Sequence, residues 1–71
     1  MKYLACVISK LDDTTPKNRL RAVFSGNAED DVIEMAEKWL RDFEWDKDDA
    51  LIEVWRMSPQ DNQYEWIHDV E

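Results

Sequence analysis

The chain is poor in the residues from which catalytic and ligand sites are usually built. Its 71 residues include one cysteine (Cys6), one histidine (His68), one glycine (Gly26) and two prolines. A single cysteine excludes an internal disulfide and fits a reducing, cytoplasmic compartment. One histidine and one distant cysteine give no metal-ligand spacing, so neither a metal nor another cofactor is expected. No apolar run approaches the ~18 residues of a membrane span. The start, MKYLACVISKLDD, has one Lys and a short apolar run, but Lys10, Asp12 and Asp13 follow at once. It reads as a strand rather than a signal peptide.

Those scarce residues also read as structural where they stand. In sequence, His68 has only Glu65, Asp69 and Glu71 near it, which fits an ordinary sheet-surface or half-buried histidine. Cys6 lies in an apolar strand, where a thiol is a small packing residue unless a neighbouring base lowers its pKa. Carboxylates are so abundant that any pair of them loses meaning as an acid/base signal. The chain is therefore not expected to be an enzyme.

What the chain has is apolar bulk and negative charge. Hydrophobic residues make up 44% and include eight aromatics, four of them Trp, so the chain can fold despite 37% charged residues. The length fits one small α+β domain over residues 1–71 with a modest core. The net charge is −8 and unevenly placed. Residues 1–26 hold five basic and two acidic side chains, net +3, whereas residues 27–71 hold four and fifteen, net −11. Such a field repels nucleic acids and membrane surfaces and attracts basic protein surfaces.

One segment has a sustained helical period. Between Asn27 and Glu44, apolar residues Ala28, Val32, Ala36, Trp39, Leu40 and Phe43 recur at spacings of three and four, and Ile33 and Met35 widen the stripe. Asn27 is the expected N-cap, and Glu29, Asp30 and Asp31 complement the helix dipole. Trp39 and Phe43 are expected in the core.

The remaining apolar segments alternate as strands do. Lys2–Ser9 is apolar on both faces, Arg19–Ser25 on one, leaving Arg19 and Arg21 exposed. Ala50–Met57 and Tyr64–Val70 complete the set. The polar stretches 12–18 and 58–63 read as hairpin connections. The order ββαββ predicts an antiparallel four-stranded sheet with the helix on one face. Its second face would then be uncovered, with Tyr3, Val7, Trp55, Met57, Tyr64 and Trp66 as candidates for it. An exposed apolar patch usually marks a partner or a dimer.

Two surfaces are therefore candidates for function. The acidic one comprises Asp30, Asp31, Glu34, Glu37 and Asp42 on the helix with Asp46, Asp48 and Asp49 after it. Carboxylates spaced on a rigid scaffold imitate a phosphate row or dock on an Arg/Lys groove with fast association. Trp45, Trp55 and Trp66 join the partner-binding set, because Trp is enriched at binding hot spots. A sheet that stacks bases would need basic neighbours, and only Arg19, Arg21 and Arg56 are available.

In length, in a Met-Lys start running directly into a strand, in ββαββ order and in charge bias, the chain resembles the small anti-CRISPR proteins carried by phages. The resemblance is one of pattern, with no shared motif. It implies a non-enzymatic, stoichiometric inhibitor acting in the host cytoplasm. The partner implied is a Cas effector or another nucleic-acid-binding complex with a basic surface. The alternative is a structural homodimer or accessory subunit packed through the open sheet face.

Overall fold

The computed structural model describes residues 2–10 and 19–70, except the side chain of Lys47. The connection expected over 12–18 lies outside the described residues. Alternation of apolar side chains produces four strands: β1 Tyr3–Ser9, β2 Leu20–Gly26, β3 Ala50–Met57 and β4 Tyr64–Val70. They form one sheet in the order β2-β1-β3-β4, with every neighbouring pair antiparallel. The helix α1, Glu29–Asp42, connects β2 to β3 and lies over β2, β1 and part of β3, with Glu29 of its first turn reaching His68 of β4. The expected ββαββ order, sheet and helix are all present.

The buried core is made of small side chains. Ala5 and Val7 of β1, Ala50, Ile52 and Val54 of β3, and Val32 and Ala36 of α1 form its apolar part. Alanine on both layers lets the helix approach the sheet closely. Gly26 does the same at the end of β2: a Cβ there would stand 3.2 Å from Cγ1 of Val32. Tyr3, Phe24, Trp39 and Leu40 pack around this centre without being fully buried.

Three expectations are corrected. Val7 is fully buried beneath the helix, and Tyr3 packs against the same core, so the uncovered face of β1 is instead Leu4, Cys6 and Ile8. Both faces of β1 are apolar, so alternation alone could not decide which one the helix covers. Phe43 is not in the core but 64% exposed, stacked on Trp39 at a ring-centroid distance of 4.8 Å. The helix has already ended at Asp42, and Phe43 is its C-cap residue.

The third correction concerns the N-cap, which is Ala28 rather than Asn27 and contributes no side-chain hydrogen bond. Its extended backbone, φ −134° and ψ 141°, already suits a capping residue. Ala28→Asp is therefore expected to stabilise the protein by about 0.5–2 kcal/mol, read as a higher urea midpoint. An unchanged midpoint would place the start of the helix elsewhere in solution.

The C-terminus of α1 is closed by backbone hydrogen bonds. Glu44 N–H donates to Arg41 O at 3.1 Å and Trp45 N–H to Leu40 O at 2.9 Å. With Glu44 left-handed at φ 55°, this is the Schellman arrangement, and it folds Trp45 back toward the core.

Candidate protein-binding surfaces

The first surface is the solvent side of α1 with the segment that follows. Asp30, Asp31, Glu34, Glu37 and Asp42 are all exposed, as are the basic Lys38 and Arg41. None of these five carboxylates is in an ion pair among the described residues. Beyond the helix, Asp46 accepts a hydrogen bond from Asp48 N–H at 3.0 Å and so caps a 3-10 turn, Lys47–Asp49. Asp46 and Asp48 are exposed. Asp49 is half-buried, and its carbonyl accepts from Lys10 N–H at 2.8 Å, which ties the turn to the end of β1. Eight carboxylates are thus held on one helix and one capped turn. A shallow hollow lined by Asp31, Glu34, Met35 and Lys38 lies among them.

Trp45 does not share that exposure. It is half-buried, packs on the core, sits 6.1 Å from the Trp39 ring and has the Arg21 guanidinium 6.0 Å from its centroid. Its role here is to hold the loop against the body of the domain.

The second surface is the sheet face opposite the helix. Strand register arranges it in rows: Ser25–Leu4–Trp55–Trp66, then Val23–Cys6–Glu53–Asp69, then Leu20–Ile8–Leu51. Met57 and Tyr64 extend it at one end. Trp66 is 53% exposed and Val23 48%, while Trp55 is half-buried. A bulge between Val54 and Trp55 leaves Ile67 as the extra residue of β4. That bulge sets Tyr64 and Trp66 on this face while His68 and Val70 turn to the helix side, breaking the simple alternation expected of β4. A second irregularity, between Val7 and Ile8, skips Arg21 in β2.

Two features of the site have no signature in local sequence. On the helix side, His68 of β4 pairs with Glu29 in the first turn of α1. The two are 39 residues apart, so nothing short of the fold reveals the contact. On the open face, Glu53 and Asp69 are direct cross-strand partners. Counting back from the hairpin could have matched them, except that the bulge shifts the count by one.

The hydrogen bond to Glu29, ahead of other influences, raises the His68 pKa above its ordinary 6.5. A raised folded-state pKa means the stabilisation is complete below about 6.5 and is lost as pH rises through the folded-state value. The two side chains are 42% and 36% exposed, so screening by solvent keeps the effect small. An NMR titration of the imidazole should give a midpoint above 6.5 that Glu29→Gln lowers. A midpoint indifferent to that substitution would show that the pair does not form.

Burial, followed by the charge of Glu53, pushes the Cys6 thiol pKa upward, away from the thiolate that a nucleophile needs. Among the described residues, no cluster of three or more His, Cys, Asp or Glu side chains could hold a metal ion. Also among them, no helix is long and apolar enough to cross a membrane.

No protein-family model matches the chain, and neither a curated protein nor a solved structure matches it.

Proposed function

We propose that this protein acts by binding another protein, and that its acidic helical face docks in the basic groove of a nucleic-acid-handling complex and blocks it. The observation that carries this reading is the row Asp30, Asp31, Glu34, Glu37 and Asp42, exposed and without ion pairs among the described residues. Asp46 and Asp48 continue the same charge beyond the helix end.

Carboxylates three and four residues apart on a helix stand about 5–6 Å from one another. On a rigid element they meet Arg and Lys side chains with little further ordering, which favours rapid, electrostatically guided association. A net charge of −8 on 71 residues keeps the molecule itself away from nucleic acid while drawing it to proteins that bind nucleic acid. The resemblance to anti-CRISPR proteins makes a Cas effector or surveillance complex the first target to try.

The test is capture from bacterial lysate with the tagged protein, washed at low and then at high salt, beside the variant Glu34→Lys/Glu37→Lys/Asp42→Lys. A basic nucleic-acid-handling complex that salt releases and the variant fails to capture supports the proposal. Recovery of the tagged protein alone, or equal capture by the variant, refutes it.

A further inference from the structure

The open sheet face carries a charge arrangement that a solitary soluble face would not need. Glu53 and Asp69 lie directly opposite each other on β3 and β4, and like charges so placed destabilise a sheet. Their register partners supply no cation: Glu53 stands between Cys6 and Asp69. The neighbouring row adds Trp55 and Trp66, which are themselves cross-strand partners, and Trp66 Nε1–H donates to Asp69 Oδ1 at 2.8 Å. That bond fixes one carboxylate oxygen beside the exposed indole and leaves the other to accept. Leu4, Ile8, Leu51 and Val23 surround the group with apolar surface.

We infer that the β3–β4 half of this face binds a protein segment presenting an arginine flanked by apolar side chains. The planar guanidinium stacks on the Trp66 indole while donating to Glu53 and Asp69, and the flanking residues cover the aliphatic part of the face. Charge complementarity selects this occupant over a second copy of the chain. A two-fold dimer brings the same patch to both sides. Packing face on face would bury four carboxylates and no guanidinium, and would join two molecules that each carry −8. This surface lies on the side of the sheet away from α1, so the inference does not depend on the acidic-helix proposal.

The test uses the full chain, labelled with ¹⁵N, and a synthetic peptide in which leucine and arginine alternate. Controls are the same peptide with neutral citrulline, or with glutamate, in place of arginine. The arginine peptide is expected to shift the amides of Leu4, Glu53, Trp55, Trp66 and Asp69. Its affinity should fall at least tenfold for the citrulline peptide, for Glu53→Gln/Asp69→Asn and for Trp66→Ala. Glu34→Lys/Glu37→Lys/Asp42→Lys should leave the same shifts in place. No shifts at millimolar peptide, shifts confined to α1, or equal affinity for the citrulline peptide would each overturn the inference. So would a wild-type dimer at micromolar concentration by sedimentation, which would give the face to a second copy.

Discussion

Ile52→Ala is expected to cost about 2–5 kcal/mol, whereas Leu51→Ala, one residue earlier in the same strand, should cost clearly less. Ile52 is 3% exposed, faces α1 and is the largest side chain among the buried apolar residues. Truncating it leaves a cavity beneath the helix, in a core whose other buried apolar side chains are all alanine or valine. Leu51 points to the open face, is half-buried and lies outside the buried cluster. A domain of this size has roughly 4–11 kcal/mol in total, at ~0.05–0.15 kcal/mol per residue, so the first substitution removes a large part of it. Urea unfolding of the two variants measures the difference through the midpoint at unchanged slope. Equal losses would mean that both faces are covered in solution and that the account of the open face is wrong.

The second large effect is on binding. Glu34→Lys/Glu37→Lys/Asp42→Lys reverses three exposed charges and moves the net charge from −8 to −2, two units per substitution. Affinity for a basic target is expected to fall at least about a hundredfold, or about 2.8 kcal/mol at 1.4 kcal/mol per decade. The fold should survive. Glu34 and Glu37 stand one turn before Lys38 and Arg41, and each such pairing is worth only about 0.2–0.5 kcal/mol. Lysine at position 42 suits the negative end of the helix dipole. Circular dichroism close to that of the wild type, with binding lost, is the predicted combination. Retained binding would remove the acidic face from the interface.

Much of the architecture was legible because the periodicities are clean. Ala50–Met57 and Tyr64–Val70 have the bounds their alternation predicts, and the stripe through Val32 and Ala36 faces the core. The ends of the helix were less legible, since they depend on backbone geometry. An alanine occupies the N-cap, and a left-handed glutamate rather than a glycine closes the C-terminus. Those two positions account for the helix being shorter at both ends than its apolar stripe.

The candidate surfaces divide in the same way. The exposure of Asp30, Glu34 and Glu37 followed from their place opposite the stripe. The choice of covered face on β1 did not, because Leu4, Cys6 and Ile8 are as apolar as Ala5 and Val7. Nor did the Glu53–Asp69 opposition, which depends on a bulge that no local residue announces.

The measurement that bears most directly on the proposed mode of action is the affinity for the captured target as salt is raised, for the wild type and the triple-lysine variant. An interface made by the acidic helix predicts a wild-type affinity that falls steeply with salt and a variant line that is both weaker and flatter. Affinity insensitive to salt and equal in the two proteins would contradict it and would remove the acidic helix from the interface.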